Sequence, residues 1–133
     1  MATIKSFTSL QQSRKLAEIL SLESADMRIG NYVGKSGKVD GTNVHYYPKG
    51  ESFGAPEIID AWSLASLLEQ IPYEMCDDDG NSLYLEIHKE DNVYQLVYID
   101  PNGITDNIYT DMCEHFVDAC VDMVEKLKEL NLL

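Results

Sequence analysis

Asp77, Asp78 and Asp79 stand together before Gly80, and Glu86 follows six residues later. Alternating oxygen ligands, a glycine for the sharp turn and a closing glutamate are what a calcium loop of the EF-hand type needs. With Gly80 at the sixth position, Asp77 and Asp79 fall third and fifth, and Glu86 twelfth. The first position is then Met75, whose side chain has no oxygen. Pro72 breaks any entering helix, and "SLYLEIH" alternates as a strand, not as an exiting helix. The stretch reads as a solvated turn into a strand, with no metal assigned.

"GNYVGKS", residues 30–36, approaches the pattern of a phosphate-binding loop. Only three residues separate Gly30 from Gly34, where the pattern needs four. "GKVDGTN" follows, and it cannot start the helix whose N-terminus would face the phosphates. The histidines, His45, His88 and His115, have no metal-ligand spacing. Cys76, Cys113 and Cys120 are odd in number and lack a C-x-x-C pair, which argues against a disulfide framework and against zinc. Cys113 is two residues from His115, but on a helix the two project about 200° apart. It reads as a core cysteine, not an activated thiolate. Tyr84, Tyr94 and Tyr98 form either an aromatic patch for a ligand or protein, or a surface beneath a helix. No catalytic residue and no cofactor is assigned.

The elements that carry these residues follow from periodicity. Ser9 and Gln12 make a capping box for a first helix, with Leu10, Leu16, Ala17, Ile19 and Leu20 on one side. "ESADMRI" reads as a short strand. Residues 30–56 hold six of the eight glycines and read as an irregular loop or loose hairpin around a strand-like "NVHYY". "WSLASLLEQIP" is a second helix, capped by Ser63 and stopped by Pro72. "SLYLEIH", "NVYQLVYI" and "ITDNIYT" follow as a meander, with "DPNG" as the last turn. "DMCEHFVDACVDMVEKLKELNL" is the clearest helix, with an apolar face running from Cys113 to Leu130. The expected fold is α+β: a small antiparallel sheet covered by three helices, in the order α-β-loop-β-α-β-β-β-α, as one domain over residues 1–133.

Charge narrows the function. The net charge is -13; residues 1–50 carry +3 and residues 51–133 carry -16. Such a surface repels phosphate backbones, so direct nucleic-acid binding is disfavoured, and a basic protein partner, or no partner, fits better. The N-terminus lacks a signal peptide's apolar region, and no apolar run is long enough to span a bilayer. A cytoplasmic protein is expected. On the last helix, Glu114, Asp118, Asp122, Glu125 and Glu129 recur at four, four, three and four residues, which makes one acidic stripe. It is the candidate partner surface; the alternative is a solvated face.

"SLQQSRKLAEILSLESADM", "WSLASLLEQIPY" and "VDACVDMVEKLKELNLL" together resemble a family of small uncharacterised proteins from gut Bacteroides-type bacteria and their prophages or mobile elements. The resemblance covers both ends and the middle helix. It implies a cytoplasmic accessory protein and carries no site residues. The leading expectation is a non-enzymatic interaction domain with an acidic surface. Two alternatives are a ligand-binding protein or enzyme using the Gly-rich loop and nearby tyrosines, and an acidic nucleic-acid mimic that inhibits a basic protein.

Overall fold

Ser9 starts the first helix as its capping box dictates. Its hydroxyl accepts the Gln12 N–H at 3.2 Å, and Gln12 Oε1 accepts the Ser9 N–H at 2.9 Å. The computed structural model describes residues 5–51 and 54–133. The chain divides into an N-terminal unit, residues 6–66, and a C-terminal unit, residues 67–133 with Lys5. Among the described residues there are three α-helices and two antiparallel sheets, an α+β fold.

In the N-terminal unit, α1 (Leu10–Leu16) ends sooner than its apolar pattern suggests, so Ile19 and Leu20 lie beyond it. A 3-10 turn at Leu22–Ser24 leads into β1 (Met27–Tyr32). This strand is the centre of a three-stranded sheet, with β2 (Asn43–Pro48) on one side and β3 (Glu57–Ala61) on the other. The glycine-rich stretch is therefore a β1–β2 hairpin followed by the return to β3; residues 52 and 53 fall outside the described part. Leu16, Ile29, Ala61 and Trp62 are fully buried. The Trp62 indole N–H donates to Ser24 Oγ at 2.9 Å, so its polar end is satisfied inside the core.

The unit boundary falls within α2 (Leu64–Gln70). Ser63 caps this helix by accepting the Ser66 N–H at 3.2 Å. Asp26 supports the cap, accepting the Ser63 N–H at 2.8 Å and the Ser66 hydroxyl at 2.9 Å.

The C-terminal unit is a meander of β4 (Glu74–Cys76), β5 (Ser82–Glu90), β6 (Val93–Ile99) and β7 (Ile108–Tyr109), in that order across the sheet. Asp91 and Asn92 form a two-residue turn between β5 and β6, and Asp91 takes φ 53°. Positive φ at this position suits the twist of a tight hairpin. The strands thus divide between two sheets, where periodicity alone pointed to one. β3 and β4 are the additions, and both are short edge strands that give little periodic signal.

α3 (Phe116–Glu129) packs on β6 and buries Val117, Cys120, Val121, Val124 and Leu127. The sequence places Asp111–His115 in this helix, but the structure does not. Tyr94 N–H donates to Cys113 O at 2.7 Å, and Cys113 N–H donates to Tyr94 O at 2.9 Å. Pairing with β6 satisfies both groups at once, so this segment stays extended and α3 begins after it. Leu130, expected on the apolar face, is the C-cap and is 52% exposed. No helix among the described residues is long and apolar enough to cross a membrane.

Candidate interaction site

Asp77 opens the turn between β4 and β5. Its Oδ1 accepts the N–H groups of Asp79 (3.0 Å) and Asn81 (2.8 Å). Its Oδ2 accepts the Thr105 hydroxyl (2.5 Å) and the Asn81 amide (3.2 Å). Gly80 completes the turn at φ 84°, where a side chain would be strained. The residues that resemble a calcium loop are a hairpin turn whose first carboxylate serves internal donors with both oxygens. The Thr105 hydroxyl, followed by the Asn81 N–H, holds the Asp77 carboxyl below its ordinary pKa. Among the described residues, no three His, Cys, Asp or Glu side chains group as metal ligands do.

Asp100 organises the next turn at the same end of the sheet. Its Oδ2 accepts the N–H groups of Thr105 (2.8 Å) and Ile104 (3.0 Å), and its Oδ1 accepts that of Asn102 (2.8 Å). These backbone donors, Thr105 first, lower its pKa. Gly103, at φ 67°, lets its N–H reach back to Asp100 O at 3.1 Å. Thr105 therefore ties the two acidic turns together.

This double turn forms one wall of an open cleft of about 590 Å³; the last turn of α3 and the tail after it form the other. Ile108, Leu130 and Leu132 supply apolar surface over the buried Leu83, while Asp78, Asp106, Lys126 and Glu129 stand around it. Tyr109 borders the cleft and is 61% exposed. Among the described residues, β7 is also a sheet edge. Thr110 N–H donates inward to Leu96 O at 3.0 Å, so the alternation of an antiparallel ladder turns the Tyr109 N–H and C=O outward. The next outward donor, Asp111 N–H, is taken by Asp122 Oδ2 at 2.9 Å.

The acidic stripe is not a row of equivalent carboxylates. Glu114 precedes α3, on the extended segment. Asp118 pairs with Lys5 at 2.6 Å, and Asp122 holds the Asp111 backbone. Glu125 is half-buried, and Glu129 is exposed beside the cleft. Of the five, only Glu129 joins the cleft lining. The charge itself is concentrated in the C-terminal unit, which has sixteen Asp+Glu against four Lys+Arg; the N-terminal unit has seven against six.

The tyrosines of the meander do not make one patch. Tyr98 is fully buried, and its hydroxyl donates to Pro72 O. Tyr94 stacks on Phe116 of α3, with ring centroids 5.2 Å apart. Tyr84 points to the other face of the sheet, next to Tyr73. In the glycine-rich hairpin, the Tyr32 and Tyr47 hydroxyls bond at 2.8 Å, and this bond pushes the Tyr47 pKa up to about 12. Gly34, Lys35 and Ser36 lie in the β1–β2 loop, with no helix after them. Asp40 accepts the Thr42 and Ser36 hydroxyls there, and these hold its pKa at about 2. Burial pushes the Cys120 thiol up to about 12, and burial with Asp122, Asp118 and Asp111 raises that of Cys113.

The sequence reading missed Asp78, Asp106, Ile108, Tyr109, Leu130 and Leu132 as neighbours. A signal was present: "DDDG" and "DPNG" are alternate turns of one meander, and alternate turns fall at the same end of a sheet. No protein-family model matches the chain, and comparisons with curated proteins and with solved structures find no match either.

Proposed function

We propose that the chain is a non-enzymatic interaction domain whose acidic C-terminal unit binds a basic protein. The observation that carries this reading is the cleft beside β7, where apolar surface lies open among Asp78, Asp106 and Glu129. An apolar centre with a charged rim is the make-up of a protein-recognition patch. The sixteen acidic residues of that unit would steer a cationic partner toward it. The perturbed groups favour binding over chemistry. Asp40, Asp77 and Asp100 have lowered pKa values and are weak bases, while Tyr47, Cys113 and Cys120 have raised values and are weak nucleophiles at neutral pH. A nucleic-acid mimic needs an unbroken row of free carboxylates, and Asp118 and Asp122 are engaged internally. The resemblance of both ends and the middle helix to small uncharacterised proteins of gut Bacteroides-type bacteria and their mobile elements, which implies an accessory role, belongs to the same proposal.

Selection from a displayed random-peptide library at low salt tests the reading. Enrichment of Lys- and Arg-rich sequences, with an association rate that falls steeply as salt rises, is expected. A library that yields no basic consensus overturns it.

A further inference from the structure

We infer that the cleft beside β7 takes one extended segment of the basic partner, held by an aliphatic side chain, one residue of strand pairing and flanking lysines or arginines. This rests on the interaction reading above and adds the mode and the register of binding.

Three separate features meet there. The first is apolar. Leu130 is 52% exposed, and Ile108 and Leu132 line the same cleft above the fully buried Leu83. A volume of about 590 Å³ falls inside the range of roughly 300–1,000 Å³ common for ligand pockets. It therefore holds an aliphatic side chain with room for its neighbours.

The second is the backbone. β7 is an edge strand, and Tyr109 turns its N–H and C=O outward. An extended peptide adds to such an edge through main-chain hydrogen bonds, and its alternate side chains fall into adjacent pockets. Addition stops after one residue pair, because Asp122 already accepts the Asp111 N–H. The segment is thereby kept short, and its register is set by Tyr109.

The third is charge. Asp78 and Asp106 stand on the turn side of the cleft, whereas Lys126 stands beside Glu129 on the α3 side. The field is asymmetric. Cationic residues of the partner belong over the two turns, and the α3 side takes the neutral part of the segment.

The test uses the full chain and three fluorescent nine-residue peptides read by anisotropy. One has a central leucine with two lysines on each side. The second replaces the leucine by serine, and the third replaces the lysines by glutamine. The leucine peptide should bind at least tenfold tighter than either of the others. Leu130→Ser should weaken it about tenfold and leave the serine peptide unchanged. Tyr109→Pro removes the outward N–H without touching the inward ladder, and should weaken binding more than Tyr109→Ala. Glu114→Lys with Glu125→Lys, away from the cleft, should change affinity less than Asp78→Lys with Asp106→Lys. All these positions are exposed or half-buried, and unchanged melting temperatures verify that each variant folds. If the leucine and serine peptides bind alike, or the cleft variants bind like wild type, the cleft is not the site and only the acidic-surface reading survives. If no lysine peptide binds at low salt, both readings fall.

Discussion

The Thr105 hydroxyl donates to Asp77 Oδ2 at 2.5 Å, while the Thr105 N–H donates to Asp100 Oδ2 at 2.8 Å. One threonine thus joins the turn before β5 to the loop before β7 and shapes the wall of the cleft. Both carboxyls titrate below their ordinary value of 3.8 in the folded chain. A depressed folded pKa means that the unfolded chain takes up protons first as pH falls. The stabilisation is therefore complete above the unfolded value and lost as pH falls through the folded ones. Melting temperature should hold near pH 5 to 7 and decline below about pH 4. Thr105→Val removes the hydroxyl donor and returns Asp77 toward its ordinary value. Its loss of melting temperature between pH 5 and 3 should be smaller than that of wild type. Parallel curves for the two proteins would show that this hydrogen bond has no part in the acid limb.

Val124 is fully buried on the face of α3 that packs on β6. Aspartate there would set a carboxylate among apolar neighbours without a partner. Val124→Asp should cost about 3 kcal/mol or more, a large share of a domain's stability. Val124→Ala, which loses only methyl groups, should cost about 1–3 kcal/mol. Urea denaturation measures both, and the order of the two variants is the point to check.

Where the sequence spoke clearly, it did so through caps and periods. The Ser9–Gln12 capping box, the Ser63 cap, the strand at Leu83–Ile87 and the Val117–Leu127 part of the α3 stripe appear where local pattern places them, although Ile87 is 46% exposed. The start of α3 did not. Asp111–His115 continues the apolar spacing of the helix, yet the Tyr94 backbone claims Cys113, a competition invisible to local periodicity. β3 and β4 were silent because five and three residues hold too few alternations to register. The cleft was hidden for another reason. Its walls come from residues 77–83, 105–109 and 126–132, which only the meander and the docking of α3 bring together.

The three thiols should separate by environment. Cys76 is exposed, Cys113 is half-buried and Cys120 is fully buried, with its thiol pushed up to about 12 by burial. Only the thiolate reacts, so both access and a raised pKa slow Cys120. In native buffer at pH 8, a disulfide reagent that releases a chromophore should label one cysteine quickly, a second slowly and the third only on unfolding. Cys76→Ser should remove the fast phase. A fast phase that survives this substitution would mean that Cys113 is more open than its contacts with Asp111 and Tyr94 imply.

Asp122 separates a structural role from a recognition role within the acidic stripe. Its Oδ2 accepts the Asp111 N–H, and one turn earlier Asp118 pairs with Lys5. The stripe considered as a free surface would tolerate Asp118→Lys with Asp122→Lys without loss of stability. The geometry argues otherwise. The first change sets two ammonium groups together, and the second removes the acceptor from an edge N–H. Each should cost about 1 kcal/mol, because both sites are partly open to water. The double variant should melt several degrees lower than wild type. Asp122→Asn keeps a carbonyl oxygen for the Asp111 N–H and discards the charge, so it should melt close to wild type, whereas Asp122→Ala should not. Binding of a lysine-rich peptide then decides the role. If Asp122→Asn binds it as tightly as wild type, the carboxylate serves the fold alone. If affinity falls while the melting temperature holds, the charge of Asp122 contributes to the partner surface, and the stripe extends beyond Glu129.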